Sequence, residues 1–143
     1  MFQLVYISTA AWPMDNGDLK TIIEHSRKNN RELEVTGVLL QIDHGFLQIL
    51  EGPREAVKAL YAKIQLDLRH IGLRVLVQQN VEDRLFADWS MGFEKLDSAS
   101  PRTAQLYALT QEAVETAMPP QAAKDLARHL RDFYCQVTGP LAA

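Results

Sequence analysis

Cysteine is almost missing from this chain. Cys135 stands alone among 143 residues, which excludes an internal disulfide and any multi-cysteine metal site. Charge of one sign is also missing: 15 basic and 18 acidic residues leave a net charge of −3, mixed along the chain. No basic field is therefore available to hold nucleic acid or an anionic membrane. No apolar run approaches the ~18 residues that span a bilayer. Met1-Phe2-Gln3-Leu4-Val5-Tyr6 lacks the charged region and cleavage pattern of a signal peptide, so the chain is expected in the cytoplasm. His25, His44, His70 and His129 show no metal-ligand spacing, and there is no glycine-rich phosphate loop. No nucleophile–histidine–carboxylate set is suggested either. The carboxylates are scattered along solvated helix faces, their usual place. An enzyme is not expected. Internal repeats and low-complexity segments are absent as well.

What is present is an ordinary globular composition, 47% apolar, in a chain long enough to bury a core as one domain with a short appendage. The pattern predicts a first strand over Leu4–Ser8 and, after the loop Thr9–Met14, a helix capped by Asp15 or Asn16. That helix carries the stripe Leu19, Ile22, Ile23 and Ser26 and is expected to run out at Asn29-Asn30. Val35–Ile42 reads as a second strand, and Asp43-His44-Gly45 as a hairpin turn into a third. Gly52-Pro53 stops that strand and opens a second helix, with apolar Ala56, Val57, Leu60, Tyr61, Ile64 and Leu68, expected to end near Arg69-His70-Ile71-Gly72. Leu73–Gln78 and Trp89–Phe93 read as the fourth and fifth strands.

The resulting order, βαββαββ, implies an α+β fold: a ferredoxin-like sandwich with a mixed five-stranded sheet and two helices on one face. Beyond Leu96 the composition changes. Ser100-Pro101 opens a helix to about Ala117, Met118-Pro119-Pro120 breaks it, and a second helix repeats Ala123, Leu126, Ala127, Leu130, Phe133, Tyr134 and Val137. The division expected is therefore 1–97 for the sandwich and 98–143 for a C-terminal helical extension. Two such helices would either shield the bare sheet face or pair with another subunit.

The chain is organised around Phe46-Leu47-Gln48-Ile49-Leu50-Glu51-Gly52-Pro53. Its first five residues read as a strand buried on both faces, and Gln48 shares a face with Phe46 and Leu50. A buried polar group left unpaired costs about 1–3 kcal/mol, so something must meet the Gln48 amide, either a neighbouring protein group or a polar cofactor against the sheet. Other polar residues stand at odd places: Tyr6 and Ser8 on the first strand, Asn29 and Asn30 at the helix end, Lys63, Asp67, Arg69 and His70 along the second helix and its end, and Trp89 with Met91 on the last strand. Each has a plain structural account as core aromatic, helix cap, dipole partner or core filler.

Taken together, however, Leu4-Val5-Tyr6-Ile7-Ser8, Arg27-Lys28-Asn29-Asn30, Val35-Thr36-Gly37-Val38-Leu39, Phe46 to Gly52, Asp67-Leu68-Arg69-His70 and Phe86-Ala87-Asp88-Trp89-Ser90-Met91 closely resemble BLUF domains, the blue-light sensors that use flavin. The resemblance covers about residues 2–95, in order and with the family's spacing. The remaining residues resemble, in pattern, the helical cap of the short stand-alone members. The resemblance implies a non-covalently held flavin between the two helices, FAD ahead of FMN or riboflavin. Tyr6, Ser8, Asn29, Asn30, Gln48, Lys63, Asp67, Arg69 and His70 would surround it. Many relatives carry arginine where Lys63 stands, and lysine offers a point charge instead of a fork.

By the same resemblance, Tyr6 is the electron donor to the excited flavin and Gln48 the amide that passes and returns the proton, by rotation or by tautomerisation. Trp89 and Met91 would relay the change. Within 143 residues there is no cyclase or phosphodiesterase, so the output is expected through a downstream signalling protein or a homo-oligomer. Two other functions stay open on the residues alone. One is a light-insensitive ferredoxin-like module that binds flavin or a partner; the other is a small-substrate enzyme on the same fold, such as an acyl phosphate hydrolase, which has only the fold in its favour.

Overall fold

The computed structural model describes residues 1–87, 90–115, 121, 123–126 and 128. The order is β1 (Phe2–Ala10), α1 (Asn16–Leu33), β2 (Thr36–Ile42), β3 (Gly45–Gly52), α2 (Arg54–Gln65), β4 (His70–Asn80), β5 (Gly92–Leu96) and α3 (Ala104–Glu115). The strands lie in the order β4-β1-β3-β2-β5. Four of them pair antiparallel, while β5 joins the edge parallel to β2. This is the expected ferredoxin-like sandwich with a fifth strand added. The apolar run of β3 is explained by its central place, since Phe46 to Gly52 are all buried between two neighbouring strands and two covering layers.

One sheet face carries Leu4, Tyr6, Leu39, Phe46 and Leu50 against Leu19 of α1 and Val57 and Leu60 of α2. The other carries Val5, Val38, Leu40, Leu47 and Ile49 against Leu106 of α3, with Ala123 and Leu126 in the same cluster. α3, together with Ala123 and Leu126, therefore covers the sheet face that α1 and α2 leave bare. The rest of the C-terminal stripe, from Leu130 to Val137, lies outside the described residues.

Local chemistry accounts for the boundaries, including those that differ from expectation. Asp15 caps α1: its carboxylate accepts the Asp18 N–H at 2.8 Å, and Asp18 accepts the Asp15 N–H at 3.2 Å, a reciprocal capping box. The helix does not end at Asn29-Asn30 but continues to Leu33. Asn30 is 1% exposed and spends its amide on a tertiary partner, so Glu34, at φ 58°, takes the left-handed cap. Likewise α2 stops at Gln65, short of Arg69. The Asp67 carboxylate takes the backbone N–H of Arg69 at 3.0 Å and winds the chain into a turn, so His70 opens β4. Gly72, at φ 64°, is a strand residue: Ile7 pairs with Arg74 and Thr9 with Ile71, so two residues oppose Ser8 in a bulge. The last strand begins at Gly92, so Met91 precedes it; Trp89 lies outside the described residues.

Among the described residues no helix is long and apolar enough to cross a membrane. At Gly37 the backbone of β2 runs so close to β3 that a Cβ there would drive into the Ile49 carbonyl oxygen. Gly37→Ala is therefore expected to lower stability by about 3 kcal/mol, at the upper end of overpacking costs. A denaturant midpoint within error of the parent chain would show that the two strands have room to part.

Candidate functional site

The β1–β3 register sets Tyr6 directly opposite Gln48. Both are buried, at 3% and 4% exposure, and both point to the face covered by α1 and α2. The Tyr6 hydroxyl donates a short hydrogen bond to Gln48 Oε1. The other end of the amide donates through Nε2 to Met91 Sδ at 3.3 Å. The Gln48 amide is thus oriented by an acceptor oxygen facing a phenol and a donor nitrogen facing a thioether, itself a weak acceptor. Burial, followed by the neighbouring Tyr61 and Asp67, pushes the Tyr6 hydroxyl well above its ordinary value, so Tyr6 is a neutral phenol at any physiological pH. The Tyr61 ring lies 5.2 Å away, centroid to centroid, and the His70 imidazole 6.3 Å away, edge-on.

Beside this pair, α1 and α2 enclose an open cleft. Tyr6, Asn29, Asn30, Gln48, Lys63, Asp67, Arg69 and His70 all line it. Ser8 does not, but holds His70, whose Nδ1 is 2.9 Å from Ser8 Oγ. His70 Nε2 is 2.8 Å from the Ile64 carbonyl, which can only accept. Nε2 therefore carries the hydrogen, and in the neutral ring Nδ1 accepts from the Ser8 hydroxyl. At the mouth, Asp67 and Arg69 form a forked pair, with Nε 2.9 Å from both carboxylate oxygens and Nη2 2.5 Å from Oδ2. These hydrogen bonds hold the Asp67 carboxyl below the usual carboxylate range.

Sequence reasoning missed part of the site. Ser26 lines the cleft with Ile22 and His25; its place as the polar member of an apolar helical stripe was the available signal. Arg27 was overlooked: its Nε donates to the Met91 carbonyl at 3.0 Å, while Asn30 Nδ2 donates to the Ser90 carbonyl at 2.5 Å. No sequence spacing connects residues about sixty positions apart. Met91 does not stand on the last strand, yet it touches Gln48.

The model of the family described as "BLUF: Sensors of blue-light using FAD" matches residues 1–92. The chain belongs to the BLUF family.

Its similarity to individual proteins is consistent with this. The photoactivated adenylate cyclase subunit beta of Euglena longa is 37% identical over 89 residues, covering 62% of this chain and 10% of that one. Among solved structures, the dark state of the BLUF protein BlrB matches with a TM-score of 0.74 at 28% identity, over 90% of this chain and 93% of that one. A bacterial light-regulated adenylyl cyclase matches with a TM-score of 0.72 at 31% identity, over 96% of this chain and 39% of that one. The chain spans about a tenth of the length of the curated relatives it matches. It is a blue-light sensor domain of the flavin-using type, and FAD is the cofactor in the family's own description.

The BLUF cleft fits a flavin on its own chemistry. A flat heteroaromatic ring needs apolar walls and a polar edge; Ile22 from α1, Leu39 from the sheet, and Leu60 and Ile64 from α2 supply the walls. Asn29, Asn30 and Gln48 supply amides that both donate and accept, as the alternating carbonyl and imide groups of a flavin edge require.

The Asp67–Arg69 pair gives the cleft a measurable acid limit. The folded value of Asp67 lies below the unfolded one, ~3.9. Its stabilisation is therefore complete above that value and is lost as pH falls through the depressed one. Asp67→Asn is expected to flatten that part of the acid-denaturation curve and to lower the curve above it by a constant amount. An unaltered acid limb would show that the pair contributes nothing, as exposed pairs often do.

Proposed function

We propose that this chain is a light switch in which Tyr6 and Gln48 are the working pair and protein–protein contact is the output. The flavin held beside them, when bound, supplies blue-light absorption and an excited state able to take an electron from a neighbouring phenol. Tyr6 is the phenol within reach. Because its hydroxyl is neutral in the dark, the electron leaves with the proton on Tyr6 Oη, and that proton has a ready acceptor in Gln48 Oε1. Return of both the electron and the proton to Tyr6, after rotation or tautomerisation of the amide, would leave the same atoms joined by different hydrogen bonds. The observation that carries this reading is the Tyr6–Gln48–Met91 chain of contacts, in which one buried amide is oriented from both ends.

The flavin is expected to lie with Asn29 and Asn30 at its polar edge, Lys63, Asp67, Arg69 and His70 along the other side and the tail, and Ser8 fixing His70. Met91, with Trp89, passes the change on: reversing Gln48 would turn its carbonyl toward the Met91 sulfur, replacing a donor–acceptor contact with two facing lone pairs. Residues 1–97 form the photosensory unit and 98–143 its helical extension. The domain passes its signal in the cytoplasm by protein–protein contact, to a downstream signalling protein or through its own assembly.

An absorption spectrum before and after a blue pulse tests this. The flavin band is expected to shift to longer wavelength without bleaching and to relax in the dark. Tyr6→Phe and Gln48→Ala are expected to abolish the shift while leaving flavin bound. A full shift in either variant would remove that residue from the switch, and a chain that takes up no flavin would overturn the reading.

A further inference from the structure

Between β4 and β5, the described residues Leu85, Phe86, Ala87, Ser90 and Met91 belong to neither strand. Side chains from other elements hold them at both ends. At the far end, Arg27 and Asn30 take the carbonyls of Met91 and Ser90, and Gln48 takes the Met91 sulfur. At the near end, Glu51 accepts the Leu85 N–H on both carboxylate oxygens at 3.1 Å and the Phe86 N–H on Oε1 at 3.1 Å. Glu51 is 0% exposed and stands three residues after Gln48 on β3, on the opposite sheet face. A carboxylate is among the costliest groups to bury, and an apolar side chain would fill the same space. What an apolar residue could not do is gather two backbone N–H groups of a segment that lacks a ladder of its own.

We propose that Glu51 is a positioning residue for the switch: from the far face of β3 its carboxylate anchors Leu85 and Phe86, so that Met91 Sδ, five residues further along the chain, meets Gln48 Nε2 and the amide keeps Oε1 toward Tyr6. The central strand then carries the amide on one face and the anchor that sets its orientation on the other. This deepens the reading of Gln48 given above and rests on it.

The charged group acting on Glu51 among the described residues is Arg84, whose guanidinium also donates to Thr36 Oγ1 at 3.0 Å and to the Glu34 carbonyl at 2.6 Å. From β1, Gln3 faces Glu51 in register, and Gln79 of β4 donates to Gln3 Oε1 at 2.7 Å. Burial raises the Glu51 carboxyl above its usual range, while the two N–H groups and Arg84 pull it back. Protonation would turn one oxygen from acceptor to donor, facing N–H groups that can only donate. Proton uptake at Glu51 should therefore loosen Met91, although the two lie on opposite sides of the sheet.

The test is methyl NMR of the flavin-bound full chain in the dark, with 13C-methyl methionine, whose four signals are Met1, Met14, Met91 and Met118. The Met91 signal is expected to titrate with a midpoint above the ordinary glutamate value of ~4.3. Glu51→Gln, checked for an unchanged Tm, is expected to displace the Met91 signal and abolish its titration. Arg84→Gln is expected to raise the midpoint, because a cation that favours the carboxylate is gone. Met14, which lines the cleft on the other side of the sheet from Glu51, is the reference signal. A Met91 signal that does not titrate, that titrates alike in Glu51→Gln, or whose midpoint ignores Arg84→Gln would overturn the proposal. Should Glu51→Gln fail to fold, the Arg84→Gln shift decides alone. Failure to bind flavin would instead overturn the photoreceptor reading, and the same titration on the flavin-free chain would still decide the role of Glu51.

Discussion

Everything at the sensing end depends on one buried amide being paired. Gln48 sits in the middle of the central strand, 4% exposed, where an unmet donor or acceptor would cost about 1–3 kcal/mol. The antiparallel register of β1 and β3 brings the Tyr6 hydroxyl opposite its oxygen, and the approach to β5 brings the Met91 sulfur to its nitrogen. Neither partner is interchangeable with the other, because a phenol donates well and a thioether barely accepts. The amide is consequently held in one orientation by a modest margin. Such a margin suits a switch: large enough to define a dark state, small enough to be reversed by moving one proton.

The same strand ties the two layers of the molecule together. On one face α1 and α2 form the walls of the flavin cleft; on the other α3 closes the core with Leu106 against Val38, Leu40, Leu47 and Ile49. In the proposed switch, a change at Gln48 would be transmitted as a choice between packed arrangements, because interiors are close-packed. The described residues leading into β5 are held by Phe86 in the core and by contacts of Glu51, Arg27, Asn30 and Gln48 with Leu85, Phe86, Ser90 and Met91. In the cleft Asp67 and Arg69 pair with each other, Lys63 adds a cation, and Tyr6 is kept neutral by burial.

Much of this was legible in the sequence. The double-sided apolar run of Phe46–Leu50 announced a central strand, the 3.6-residue stripes announced α1 and α2, and Gln48 stood out as a polar residue where none belongs. Eight of the nine residues named for the flavin face one cleft, and the ninth, Ser8, holds a neighbour of that cleft. Boundaries were less legible where a side chain had two possible uses. Asn30 reads equally as a cap or as a tertiary donor, and only the nearness of the Ser90 carbonyl decides for the latter. Gly72 reads as a helix terminator until the bulge opposite Ser8 gives its positive φ another purpose.

What the sequence determined by itself, then, was the set of elements, their order and the family, because periodicity and short motifs are local properties that survive without coordinates. What only the tertiary structure decided was which polar groups meet. Tyr6 with Gln48, Gln48 with Met91, Arg27 with the Met91 carbonyl, and Glu51 with the amides of Leu85 and Phe86 are contacts between residues some 34 to 64 positions apart. They exist because strand register and helix packing bring them within hydrogen-bonding distance. No spacing rule reaches that far; the requirement that buried polar groups be paired says that partners exist, and only the fold says which.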